Sequence, residues 1–216
     1  MRKWILALLF VGLNHSALGA VEETTADQAN SAVVKEEVKS DPYKGWIGTH
    51  VGLGLSNASV SQPSTQRAGL MAGAFYEAPL LPGFLYFQPE VNFTQKGAFN
   101  TFFSAGDGVR FNYLEVPMLA KIKFMIPRVR PFALGGFSLG YMIGSSSANG
   151  TALSSLNPFE AAFVVGAGVS FEMGDGPDSM QLNFSARYSQ GLTPVATVAG
   201  VNWYSNIFVL LLGVQI

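Results

Sequence analysis

The sequence predicts an all-β fold: an eight-stranded antiparallel up-and-down transmembrane β-barrel. Three observations predict it. Of 216 residues, 49% are hydrophobic, only 12% are charged and 24 are glycine, yet no stretch beyond the N-terminus has the roughly 18 unbroken apolar residues of a membrane helix. From Lys44 onward apolar residues recur at period two, the period of a strand whose faces differ. The links between the alternating segments run long, short, long, short to the end, as they do where extracellular loops alternate with periplasmic turns.

Composition excludes other classes. Low charge with high apolar content excludes disorder for most of the chain. The absence of cysteine excludes a disulfide scaffold and a cysteine metal site. A net charge of −1 without a basic block gives no footing for nucleic acid. No cofactor motif occurs, and none is expected.

The N-terminus reads as an address. Arg2 and Lys3 precede a ten-residue apolar core at 4–13, and Ala17-Leu18-Gly19-Ala20 offers small residues for cleavage. Residues 1–20 have the layout of a secretory signal peptide, with a core too short to span a membrane. Residues 21–43 are polar, acidic and nearly free of aromatics, which predicts a flexible periplasmic tether. The barrel is expected over 44–216.

Eight segments follow, at 45–56, 67–78, 84–96, 110–124, 130–144, 159–173, 180–190 and 205–216. In the first, Ile47, Val51, Leu53 and Leu55 oppose Gly48, His50, Gly52 and Gly54. In the third, Leu85, Phe87, Val91 and Phe93 oppose Gln88, Glu90, Asn92, Thr94 and Lys96. The fourth sets Leu114, Val116, Met118, Ala120 and Ile122 against Tyr113, Glu115, Lys121 and Lys123. The sixth sets Phe163, Val165, Val169 and Phe171 against Glu160, Gly166, Gly168, Ser170 and Glu172. The seventh sets Met180, Leu182, Phe184 and Tyr188 against Gln181, Asn183, Ser185 and Arg187. The second, fifth and eighth alternate less cleanly. Pro89 and Pro117 each remove a ladder donor, which predicts bulges or local breaks.

The polar faces decide which side meets solvent. A solvated sheet face is normally rich in Lys and Glu. These faces carry Gly, Ser, Asn, Gln and single charges of both signs, which suits a narrow barrel interior. Aromatics gather at segment ends: Trp46, Tyr76, Phe84, Tyr86, Phe124 and Phe171 at the short-turn end, and Phe93, Phe111, Tyr141, Phe159, Tyr188, Trp203 and Tyr204 at the long-loop end. Two such belts match interfacial girdles. With eight strands both mature termini lie on the short-turn, periplasmic side.

The candidate site is an interior polar network of Glu90, Lys96, Glu115, Lys121, Lys123, Glu160, Glu172 and Arg187, which must pair because an unpaired charge in a confined interior is costly. It reads as a salt-bridged plug or as a narrow polar pathway. His50 is the one histidine left after residue 20. A Ser-His hydrolase would need it beside an inward serine such as Ser138 or Ser185, but no local His-x-Ser pattern occurs. One histidine without cysteine predicts no metal site.

Three runs carry a family resemblance: residues 87–97 (FQPEVNFTQKG), residues 113–119 (YLEVPML) with Lys121, and residues 130–141 (RPFALGGFSLGY). Together they resemble the PorT-like outer-membrane β-barrel family, over residues 46–216, and the architecture is similar to OmpA- and OmpX-type barrels. The resemblance implies an eight-stranded barrel in the outer membrane of a Gram-negative bacterium and no common enzymatic reaction. The chain departs from many such barrels by ending Val214-Gln215-Ile216 rather than on the aromatic residue that assembly machinery reads. The expected partners are outer-membrane lipid and lipopolysaccharide, the assembly machinery, and a protein partner docking on loops 97–109, 145–158 and 191–204.

Three functions remain open on sequence: a non-enzymatic anchoring or interaction protein with at most a narrow pore, a Ser-His barrel enzyme acting on outer-membrane lipid, and a soluble periplasmic barrel that binds an apolar ligand inside.

Overall fold

A computed structural model describes residues 44–59, 64–100, 108–124, 126, 129–147, 156–174, 179–198 and 201–216. The segments read as signal peptide and tether lie outside the described residues. The strands are β1 (Trp46–Ser59), β2 (Ser64–Leu81), β3 (Leu85–Asn100), β4 (Gly108–Lys123), β5 (Val129–Ser147), β6 (Phe159–Met173), β7 (Met180–Gly191), β8 (Ala196–Val198) and β9 (Val201–Gln215). Each long strand pairs antiparallel with the next, β7 pairs with β9, and β1 pairs with β9 to close the sheet. β8 is a three-residue hairpin arm folded onto the start of β9. The fold is therefore an eight-stranded closed antiparallel barrel, as the alternation predicts.

The register fixes the barrel's size. Ala68 of β2 pairs with Leu55, and the chain of partners from Leu55 runs through Phe208, Tyr188, Val165, Gly135, Ala120 and Phe87 to Ala78. One circuit thus returns to β2 ten residues along. Eight strands with that stagger tilt by roughly 40° and enclose a radius of roughly 8 Å, an interior just wide enough for side chains.

The two faces of the wall are inverted relative to a water-soluble protein. Among the described residues, 35 large apolar side chains are exposed, whereas the buried set holds 18 polar or charged residues against 14 apolar ones. On β3, Phe87, Val91 and Phe93 are 37%, 53% and 37% exposed, while Glu90, Asn92 and Thr94 are at most 2%. An apolar surface this extensive has no place in water; in hydrocarbon it is the required outer face. The soluble-barrel reading fails here, because its apolar face would have to point inward. Tyr76, Phe84, Phe124, Phe93, Tyr141, Phe159 and Tyr188 stand on the outer face. Other aromatics of the expected belts do not: Tyr86 is buried, and Phe111, Trp203 and Tyr204 line a pocket at the long-loop mouth.

Several boundaries differ from the sequence reading. β1, β2, β3, β5 and β9 extend three or four residues further at the long-loop end and β4 two, so residues read as loop at 57–59, 64–66, 97–100, 108–109, 145–147 and 201–204 are strand. Beyond the apolar band both faces turn polar or mixed, so the period-two signal ends before the hydrogen bonding does. Pro89 and Pro117 create no bulge. The β3–β4 register is constant across them, but the ladder is interrupted between Pro89↔Met118 and Asn92↔Glu115. The irregularities lie instead at Gln66/Met71, Pro79/Leu81 and Asn112/Tyr113.

Inward glycines make room for aromatic rings laid against the wall. Gly48 pairs with Phe75, and a Cβ on Gly48 would meet Phe75 Cζ at 2.3 Å. Gly168 pairs with Phe132, and its Cβ would meet Phe132 Cζ at 2.5 Å. At Gly135, by contrast, the nearest atom would stand 3.7 Å away. Gly48→Val is therefore expected to destabilise the barrel by about 1–3 kcal/mol through overpacking, and Gly135→Ala by less than about 0.5 kcal/mol. Urea unfolding of the protein in lipid vesicles measures both; equal effects would contradict this account of the interior.

Candidate functional site: the charged interior

Alternation sends every second residue of each strand into the lumen. Four carboxylates (Glu77, Glu90, Glu115 and Glu160) and four cations (Lys96, Lys121, Lys123 and Arg187) are buried there. They form three groups.

Near the short-turn end Glu77 binds two lysines. Lys121 Nζ donates to Glu77 Oε2 at 2.8 Å, and Lys123 Nζ donates to Glu77 Oε1. Each ammonium also lies over an aromatic ring, Lys121 over Phe132 at 4.1 Å and Lys123 over Tyr86 at 4.6 Å, contacts that help compensate its desolvation.

In the middle Glu90 is the hub. Arg187 Nη1 donates to its two oxygens at 3.0 and 2.7 Å, Gln88 Nε2 at 2.5 Å and Asn92 Nδ2 at 2.9 Å. His50 stacks on Phe75, its Nε2 donating to Asn92 Oδ1 at 2.9 Å and lying 3.9 Å from Glu90. A polar chain continues the wall, Ser170 to Asn183 to Gln215 to Gln181.

Near the long-loop end the ratio reverses, one lysine to two carboxylates. Lys96 Nζ stands 2.7 Å from Glu115 and 2.9 Å from Glu160, over the Tyr113 ring. Thr94 Oγ1 donates to Glu115 and Ser205 Oγ to Glu160, each at 2.6 Å. Two apolar clusters fill the space between the groups: Met71, Ile207, Val209 and Leu211 on one side, and Leu119, Phe132, Leu134 and Val164 on the other.

The segment from β7 to β9 folds across this end. Thr193 Oγ1 accepts the Ala161 N–H, the Asn157 side chain donates to the Pro194 carbonyl, and Val195 exchanges backbone bonds with Asn157 and Trp203. Val195 is 4% exposed. Among the described residues the cavities are small: one of about 30 Å³ at the long-loop mouth is lined by Lys96, Phe111, Val195 and Trp203, and two lie deeper. One of about 20 Å³ is lined by Asn92, Glu115, Ser138 and Arg187, and one of about 10 Å³ by His50, Gln88, Ser185 and Arg187. These hold single waters at most.

Seven of the eight residues read from sequence are in this interior. Glu172 is not: it pairs with Arg130 at 2.5 Å at the short-turn rim, and both side chains are about a quarter exposed. Glu77 was missed. Its strand carries small or apolar residues on both faces, so its direction could not be read. The available signal was Lys121 and Lys123, two lysines on one face that required a carboxylate beside them. The inward serines do not form a dyad with His50: His50 Nδ1 and Ser138 Oγ have no hydrogen-bond partner, and Nε2 is taken by Asn92. Among the described residues no group of three His, Asp or Glu side chains is placed to hold a metal.

Glu77→Gln leaves two buried ammonium groups with one neutral partner and is expected to destabilise the barrel by about 3–5 kcal/mol. Glu172→Gln acts on a partly exposed rim pair and is expected to cost less than about 1 kcal/mol. Unfolding in lipid vesicles separates the two; similar losses would contradict the distinction between interior and rim.

The crystal structure of Neisserial surface protein A is similar, at 17% sequence identity and a TM-score of 0.50, covering 79% of this chain and 96% of that one. Ail, the attachment invasion locus protein of Yersinia pestis, matches at 15% identity and a TM-score of 0.41, covering 80% and 99%. The outer membrane enzyme PagL matches at 11% and 0.44, covering 78% and 97%. At 17% identity the likeness to Neisserial surface protein A is one of fold. No curated protein matches the sequence. The sequence profile of the outer membrane protein beta-barrel domain family matches residues 28–197, most of the chain, and this protein belongs to that family.

Proposed function

We propose that this outer-membrane barrel is a non-enzymatic anchor whose exported loops carry recognition and whose lumen is closed. The observation that carries the reading is the filled interior: balanced charges, two apolar clusters and, among the described residues, cavities of about 30, 20 and 10 Å³. The plug reading of the network is therefore favoured over the polar pathway. A lipid-modifying Ser-His enzyme needs its serine and the histidine that activates it where lipid can reach them, and His50 lies inside the wall, bonded to Asn92. That supports the non-enzymatic reading.

Within the family, the runs at 87–97, 113–119 and 130–141 support a place among PorT-like members. The signal-peptide layout of residues 1–20 supports export with cleavage. Both ends of the barrel, Trp46 and Gln215, lie at the short-turn end, which supports periplasmic termini. Outer-membrane lipid, lipopolysaccharide and the assembly machinery are the partners this placement implies. A protein partner would dock on the long-loop end, through 97–109, 145–158 and 191–204. Of these, 191–198 offers an ordered surface, since its backbone is tied to 157 and 161.

Purified protein inserted into planar lipid bilayers in concentrated KCl is expected to give no discrete conductance steps. Reproducible single-channel steps from the wild-type protein would contradict a closed lumen.

A further inference from the structure

Two atoms of the interior that the charge groups leave unanswered border the same space. Ser138 Oγ and Arg187 Nε are buried and have no hydrogen-bond partner. The two residues are only 3% and 8% exposed. Both line the cavity of about 20 Å³, whose wall also holds Asn92 of the middle group and Glu115 of the long-loop group.

The backbone points to the same spot. Ser138 on β5 pairs with Pro117 on β4, and Pro117 stands opposite Glu90 on β3, between the pairs Pro89↔Met118 and Asn92↔Glu115. Pro117 has no N–H, so the β3–β4 ladder lacks a donor here. Pro117 lines the cavity as well. A hydroxyl, a guanidinium N–H and a broken ladder thus surround one space, where buried polar atoms normally find partners.

The surroundings select the occupant. An anion would face the carboxylate of Glu115, and a metal cation would face the guanidinium of Arg187. The buried charges already balance, four carboxylates against four cations. What fits is a neutral molecule that both accepts and donates, and the volume has room for one water.

We propose that this cavity is the binding site of a single long-lived water, which accepts the Arg187 Nε–H and donates to Ser138 Oγ, with the Glu115 carboxylate as its second acceptor. The water joins the Glu90 group to the Lys96 group, so the two act as one hydrogen-bonded network. The site does not rest on the anchor reading, since an enzyme of the same interior would hold it equally.

Solution NMR of the full barrel in detergent micelles, labelled with nitrogen-15 at arginine, tests it at Arg187 Nε–H. The expected result is a water cross-peak of opposite sign in NOESY and ROESY spectra, the signature of a water held far longer than bulk water takes to reorient. The peak is expected to persist in Ser138→Ala, which keeps the other two partners, and to vanish in Ser138→Val, whose branched side chain fills the site. In urea unfolding from lipid vesicles Ser138→Ala is expected to lower the folding equilibrium constant about fivefold, because the water loses a partner. A dry cavity gives no loss or a gain, since an orphaned hydroxyl is removed. Absence of the cross-peak in wild type, its disappearance in Ser138→Ala, or a Ser138→Ala barrel as stable as wild type overturns the proposal. Where Ser138→Val does not fold, Ser138→Ala, too small to clash, decides alone. Cross-peaks of equal sign, from freely passing water, would also overturn it and would count separately against the closed lumen.

Discussion

The stagger of the closing sheet governs this molecule. Eight strands that return ten residues along enclose a radius of roughly 8 Å, and after the wall's own backbone only side chains fit inside. In so narrow a space an inward charge is stabilised by a partner within the barrel. The same closure leaves no sheet edge in contact with lipid, where an unpaired backbone group would cost several kcal/mol. The apolar outer belt and the paired interior are two consequences of one geometry.

The interior answers that constraint with three charge groups of different stoichiometry. Glu77 takes two lysines near the short turns, Glu90 takes one arginine in the middle, and Lys96 takes two carboxylates near the long loops. Charge balances over the whole lumen and not within each end. Partners come from strands far apart in sequence: Arg187 on β7 reaches Glu90 on β3, and Lys96 on β3 reaches Glu160 on β6. Such contacts tie opposite walls together and select one register, since a slip of one residue would turn these charges toward lipid. A lumen so filled supports an anchoring role, with recognition moved outward to the loop end.

What could be read in the sequence follows from how different a strand's two faces are. β3 and β4 were legible because Phe87, Val91 and Leu114 alternate with Glu90, Asn92 and Glu115, and the partners Glu90, Lys96, Glu115, Lys121 and Lys123 came with them. β9 was not, because Ile207, Val209 and Leu211 fill the lumen while Phe208, Leu210 and Leu212 face outward, and hydrophobicity does not distinguish an apolar core from lipid. The expectation that apolar residues mostly face lipid therefore omits two interior clusters. Glu77 was hidden by the small residues around it, and Glu172 sits too near the end of β6 to reach the interior. Pairings across the barrel depend on stagger, which no local pattern encodes.

The central claim is that the apolar face of each strand meets lipid and the polar face meets a closed interior. The chain has no cysteine, so each introduced thiol is unique. Spin labels on Phe87→Cys, Gln88→Cys, Val91→Cys, Asn92→Cys, Phe93→Cys and Thr94→Cys, in vesicles, report collision with oxygen, which dissolves in lipid, and with a water-soluble nickel chelate. High oxygen access at 87, 91 and 93, with low access to both reagents at 88, 92 and 94, is the predicted result. Strong nickel access at 92 and 94 would reveal a water-filled channel, and lipid exposure at 88, 92 and 94 would reverse the faces; either would contradict the account.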